Sequence, residues 1–306
     1  MKNKRNTKIA LIGGGSACAT AAIQLVRSGN EVILIAKEIG GTIKNANLIE
    51  NLIGFPEGIK GGEFVNLIKT QLLNNKIPYI SEFVESVEHE ESKYIIKTPQ
   101  SEIQAEYLIV GTGSIPKRLE VKGEEEAFEK KRLFYDIYNG KKFTTKKTIL
   151  IIGSGDVAYD YAMNLRVTAG SISIIQRTSM TKSLPLLQKR VEKEKKIRIV
   201  KNREPIEIIT EEDKVILLTK MENKIFPIEA DIILVAIGRE PNIKFLSKEL
   251  KAEYDEALEG SKLYFVGDAK KGNYRQVSIA MGDGMKTAME IDKRLSLEED
   301  TDGTHS

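Results

Sequence analysis

The sequence predicts an α/β fold made of two doubly wound, parallel-sheet units. Three observations lead there. The chain has 306 residues, enough for two domains of ordinary size. A strand, glycine turn, helix, strand pattern occurs twice, each time within about thirty residues. The two glycine turns begin at Gly13 and Gly153, 140 residues apart (153 minus 13).

The first copy opens with residues 8–12 (KIALI), apolar after the lysine, and the turn Gly13, Gly14, Gly15. An amphipathic pattern through Ala17, Ala21, Ala22 and Leu25 predicts a helix to Ser28, stopped by Gly29, since glycine ends helices without strain. Residues 31–35 are the next strand. In the second copy, strand 148–152 leads to Gly153, Ser154, Gly155, a helix to about Val167 ended by Gly170, and strand 171–175. The first glycine permits the tight turn and the second lets backbone approach a pyrophosphate. The helix N-terminus then offers free N–H groups and partial positive charge. A lone glycine turn would say little; two copies, each between a strand and a helix, are specific, and they make the units Rossmann-like. Both depart from the usual pattern. Cys18 and Ala158 stand at the third glycine position, and Ala36 and Gln176 where a ribose-binding acid is expected. Cys18 reads as a small packing residue, because it has no partner cysteine.

Composition narrows the chemistry. There are 47 basic and 44 acidic residues and a net charge of +3, which gives no nucleic-acid footprint. No apolar run approaches a membrane span. The basic start is followed by only four apolar residues (9–12), too few for a signal-peptide core. A cytoplasmic protein without a membrane association is expected. One cysteine excludes an intrachain disulfide and a thiolate metal cluster. The two histidines, His89 and His305, lie in polar surroundings, so no metal site and no histidine-based triad is expected. Residues 297–306 read as a polar, disordered tail.

Further segments resemble the low-molecular-weight thioredoxin reductase family over nearly the whole chain. Gly40, Gly41 and Thr42 resemble its GGQ segment, and 49–58 (IENLIGFPEG) its ENYPGFPEG segment, with Asn51 at the flavin-contacting asparagine. Residues 107–116 (YLIVGTGSIP) resemble its ATG crossover, 264–269 (YFVGDA) the segment whose aspartate, here Asp268, holds the FAD ribityl chain, and 275–284 (RQVSIAMGDG) its RQ-A-GDG segment. The resemblance implies an FAD site at Gly13, Gly15, Ser16, Ala17, Gly40, Gly41, Thr42, Asn51, Thr112, Gly113, Gly267, Asp268, Arg275, Gln276 and Val277. It implies an NAD(P) site at Gly153, Gly155, Asp156, Val157, Gln176, Arg177 and Lys182, with Ile237, Gly238 and Arg239 at the returning hinge. The second domain is then inserted in the first: 1–117 and 239–306 for FAD, 118–238 for NAD(P). A homodimer through the FAD domain is implied too. In NADPH-using relatives the cationic pattern is HRR…R; here 176–182 reads QRTSMTK, in which Arg177 matches and Thr178 and Lys182 each replace an arginine. Arg177 and Lys182 are ordinary surface cations or a clamp for a 2′-phosphate. With no acid to favour NADH, the reading tilts towards NADPH.

One departure bears on chemistry. The family's Cys-x-x-Cys positions are Tyr135 and Tyr138, and without a dithiol electrons cannot pass by thiol–disulfide exchange. The stretch is also similar to thioredoxin-reductase-like ferredoxin–NADP reductases, which share 155–162 (GDVAYDYA) as GDSAVDWA. The two tyrosines shape acceptor access or, more simply, pack with their phenols partnered. Hydride transfer from nicotinamide to flavin needs no protein nucleophile, acid or base, so no catalytic side chain is expected. Three readings follow. The first is an FAD-dependent NAD(P)H oxidoreductase with a non-disulfide acceptor. The second is a ferredoxin–NAD(P) reductase using the basic runs at Lys130–Arg132 and Lys141–Lys147. The third is a non-catalytic flavin- or nucleotide-binding sensor.

Overall fold

The computed structural model describes residues 2–255, 260–270 and 274–303. Contacts divide the chain into Met1–Lys44, Leu48–Ser114 and Pro241–Ser306 on one hand, and Asn45–Asn47 and Ile115–Glu240 on the other. The divisions fall at 114/115 and 240/241 rather than 117/118 and 238/239. Ser114–Pro116 and Arg239–Pro241, the strands in which they fall, form a two-stranded ribbon.

In the first unit the sheet order is Tyr79–Ile80, Val32–Ile35, Asn3–Ile12, Ser101–Val110, Lys93–Lys97, Ser86–Glu90, with Leu263–Phe265 also paired to Ser101–Val110. Pairing is parallel around Asn3–Ile12 and antiparallel from Ser101–Val110 outward to Ser86–Glu90. The basic N-terminal stretch is strand: Asn3–Thr7 align with Ser101–Ala105. The first helix is Ser16–Arg27, and Gly29 follows with φ +88°, the left-handed conformation that glycine adopts freely.

The second unit carries a parallel sheet in the order Ile197–Val200, Ser171–Ile175, Thr148–Ile152, Ile232–Val235, Leu133–Phe134, and a separate antiparallel sheet of Glu204–Thr210, Val215–Met221 and Lys224–Ala230. The central strands are apolar without alternation because both faces are covered. Ile149, Ile151, Ile172, Ile174 and Leu234 enter one core, and Leu150, Ile152, Ile175, Ile233 and Val235 the other. The helix after the second glycine turn is Asp156–Leu165, shorter than expected. Gly170 does not stop it in a left-handed conformation; it leaves room for the Lys146 carbonyl, 2.9 Å from where a Cβ would lie.

The expected disordered tail needs correction. The C-terminal helix is Val277–Gly303 and takes in residues 297–303, while 304–306, including His305, lie outside the described residues. The polar residues there are compatible with helix because Glu298 is fixed by neighbours. It accepts from the Tyr107 hydroxyl at 2.8 Å and pairs with Lys262 at 2.8 Å.

Candidate functional site

Around the first glycine turn, close backbone approach dictates the residues. Gly13 has φ +129°, and a Cβ there would collide with the Gly111 carbonyl. Gly14 faces the Glu38 carbonyl in the same way, and its own carbonyl accepts from Gly40 N–H at 2.7 Å. Gly41, at φ +53°, would bring a Cβ to 3.6 Å from the Gly15 Cα. These contacts fold 40–42 over the turn, with Thr42 exposed. Gly15 itself opens onto free space, and the helix it begins has no side-chain cap. The first N–H groups of an uncapped helix are donors awaiting an anion. This is the fit a pyrophosphate requires.

The other FAD candidates gather at the same sheet end. Gly267, with φ +60°, lies against Ala17, 3.1 Å from a Cβ to the Ala17 Cβ, and its N–H donates to Asp283 at 3.3 Å. Asp268 accepts from the Ser114 hydroxyl at 3.3 Å. The Thr112 hydroxyl donates to the Asn242 carbonyl at 2.6 Å, and Asn242 N–H to the Gly113 carbonyl at 3.0 Å. Asn51 donates to Gln276 at 3.0 Å, joining two predicted contacts distant in sequence. Arg275 and Val277 are half-buried beside Gln276 at the start of the last helix. Two further glycines of the quoted segments serve packing. Gly284 places the last helix against the Ala17 carbonyl, and Gly111 leaves room for the Cys18 sulfur.

In the second unit Gly153, at φ +156°, approaches the Ala236 carbonyl, and Gly155 opens onto free space before another helix without a side-chain cap. Asp156 turns its carboxylate to the Leu184 N–H at 2.7 Å, and Lys182 N–H donates to the Ser154 carbonyl at 2.8 Å. Residues 182–184 are thereby fixed beside the turn. Val157, Arg177, Lys182, Ile237 and Gly238 are exposed, while Arg239 is half-buried. Gln176 departs from expectation. It is fully buried, its amide donates to the Tyr159 hydroxyl at 3.0 Å, and its carbonyl accepts from Thr181 at 3.1 Å. Its side chain therefore shapes the loop from inside and is not a nucleotide contact.

Tyr135 and Tyr138 also separate. The Tyr135 hydroxyl donates to the buried Glu124 carboxylate, which accepts the Leu119 and Glu120 N–H groups at 2.9 and 2.8 Å. The Arg118 guanidinium lies 4.7 Å from the Tyr135 ring centroid. Tyr138 is 59% exposed. Cys18 is wholly buried and its thiol is pushed up to about 12 by loss of solvent, the opposite of a reactive cysteine. Among the described residues there is no cluster of metal-ligating side chains and no helix long and apolar enough to cross a membrane.

Residues 7–284 match the family model described as pyridine nucleotide-disulphide oxidoreductase. Thioredoxin reductase 1 of Saccharomyces cerevisiae is 27% identical, the alignment covering 95% of this chain and 98% of that protein. A solved thioredoxin reductase of Lactococcus lactis is 25% identical with TM-score 0.86, and one of T. acidophilum 26% with 0.85; each comparison covers 95% of this chain and 99% of the other.

Proposed function

The chain belongs to the pyridine nucleotide-disulphide oxidoreductase family and is an FAD-dependent NAD(P)H oxidoreductase, and from that premise we propose that its electron acceptor is not a disulfide. The observation that carries the proposal is the thiol inventory. The sequence holds one cysteine, Cys18, buried and with its thiol held far from ionisation. Tyr135 stands at one of the two dithiol positions of the resembling enzymes, and its phenol is committed to Glu124. With one buried thiol, this sequence offers no dithiol for thiol–disulfide exchange.

In this reading the first unit binds FAD and the second binds NAD(P)H. Bound FAD would supply the hydride-accepting and electron-passing chemistry. The protein's part is binding and alignment. The open amides after Gly15 and Gly155 receive pyrophosphates. Asp268, Asn51 and the Arg275–Val277 segment hold the flavin half, Asn51 and Gln276 already bonded to each other. Arg177 and Lys182 face solvent beside the second turn, where a 2′-phosphate would favour NADPH. A homodimer through the first unit belongs to the same reading. Less supports a docked ferredoxin at the two runs the sequence suggested. Lys130 pairs with Glu126, Arg132 donates to the Glu212 carbonyl, Lys141 to Asn164, and Lys147 pairs with Asp231.

The test is anaerobic spectroscopy followed by turnover. The flavin band should bleach with NADPH, and more slowly with NADH. With reductant in excess, menadione should be reduced and oxidised thioredoxin should not. A flavin that neither nucleotide bleaches, or steady turnover of the disulfide, would sink the proposal.

A further inference from the structure

Residues 182–203 hold nine cations and two carboxylates, a net of +7 in a chain whose total is +3. Of these, Lys189, Lys193, Lys195, Lys196, Arg198 and Lys201 are exposed along one helix, the turn after it and the edge strand of the second unit. Helix Pro185–Glu192 turns Leu187 and Val191 into the core, which leaves Leu186, Lys189 and Lys193, spaced three and four apart, along another side. The turn at Lys195 and Lys196 leads into strand Ile197–Val200 at the sheet's edge, with Arg198 and Lys201 exposed. Of the two carboxylates, Glu194 is already paired with Arg166 at 3.1 Å.

Charge on an edge strand has a plain purpose, since lysines there discourage pairing with another chain. That accounts for 195–201. It does not account for what precedes them. Met180, Leu184 and Leu186 are 67%, 58% and 55% exposed, three large apolar side chains within seven residues and directly before the cations. A polyanion such as RNA would use the cations and leave these side chains in water. A bilayer with anionic headgroups uses both, because apolar side chains enter the headgroup boundary while lysines remain at the charged surface.

We propose that this face seats the protein on the surface of a bilayer rich in anionic phospholipid. The expectation of no membrane association rested on the absence of a spanning run, and a surface that lies on a bilayer needs no span. The inference stands on the second unit alone and does not depend on the electron acceptor.

The experiment is co-sedimentation of the FAD-loaded protein with extruded vesicles of phosphatidylcholine alone or mixed equally with phosphatidylglycerol. Wild type should pellet with the mixed vesicles only, and raising salt to about 1 M, where the Debye length is about 3 Å, should release it. K189E/K193E/K195E should weaken binding at least about tenfold, given roughly 1 kcal/mol per surface charge. L184S/L186S should weaken it too, with the flavin spectrum and circular dichroism of both variants confirming intact folding. Absence of wild-type pelleting overturns the proposal, as does a charge variant that still binds. Binding that ignores L184S/L186S while the protein binds poly(U) equally well also overturns it, and makes the surface a general polyanion site.

Discussion

At the third position of the first glycine turn stands Cys18, and the strand end beside it carries Gly111. A Cβ at Gly111 would collide with the Cys18 sulfur and come within 2.9 Å of the Val266 side chain. The resembling family has a glycine at the first of these places and an alanine at the second, so the sequence has moved one side chain's volume across the contact. The sulfur donates to the Ile12 carbonyl at 3.5 Å and sits at the root of the helix that faces the pyrophosphate. Gly111→Ala should therefore overpack this contact at a cost of about 1–3 kcal/mol and weaken FAD retention. The double change Cys18→Gly with Gly111→Ala should restore both, as melting temperature and flavin content will show. Additive losses in the double variant would refute the coupling. The same burial gives an alkaline signature. The folded thiol is pushed up to about 12 from 9.0, so between those values the unfolded chain releases the proton and the folded one keeps it. The stability this contributes is complete below pH 9 and is lost as pH rises towards 12. Cys18→Ala should flatten the fall in denaturation midpoint over that window, and an unchanged slope would count against it.

Tyr135 and Glu124 show what an element requires beyond its own pattern. The crossing strand Ser114–Pro116 delivers the chain to residues 117–123, which have no regular structure until helix Glu124–Glu129 begins. Glu124 supplies the missing order by accepting the Leu119 and Glu120 N–H groups together with the Tyr135 hydroxyl. Removing one donor leaves a buried acceptor short of a partner, so Tyr135→Phe should cost about 1–3 kcal/mol, read by urea denaturation. Flavin bleaching by NADPH and menadione turnover should hardly change. A selective loss of menadione turnover would instead place Tyr135 in acceptor access. A partnered phenol at Tyr135 was one of the two sequence expectations, but its partner was not legible. Glu124, Glu125 and Glu126 follow one another, and nothing in a sequence distinguishes the one glutamate whose neighbours leave it 7% exposed. Helix limits failed similarly where tertiary contacts overruled composition: Lys262 and Tyr107 hold Glu298, and the polar C-terminus is helical through Gly303.

At the scale of the molecule the two parallel sheets were legible, because glycine turns and uninterrupted apolar strands follow from backbone approach and two-sided burial alone. The candidate sites were legible where backbone carries the contact, as at Gly13, Gly15, Gly153 and Gly155. They were less so where a side chain must point one way rather than another. Gln176 and Arg177 are neighbours in a loop, yet one is fully buried and the other exposed, a difference set by the Tyr159 hydroxyl that Gln176 meets from the preceding helix, Asp156–Leu165. Nucleotide choice in the proposed function therefore falls to Arg177 and Lys182, and because both lie in the second unit their loss should leave the first unit's cofactor untouched. Arg177→Ala with Lys182→Ala should raise the KM for NADPH by roughly 10–100-fold, the worth of about 1.5–3 kcal/mol for hydrogen bonds to a charged group. It should leave the KM for NADH within about twofold, because NADH has no 2′-phosphate to lose. Flavin content should equal that of wild type. Equal losses for both nucleotides would mean that the two cations serve the loop's shape rather than the phosphate. No loss for either would remove them from the site.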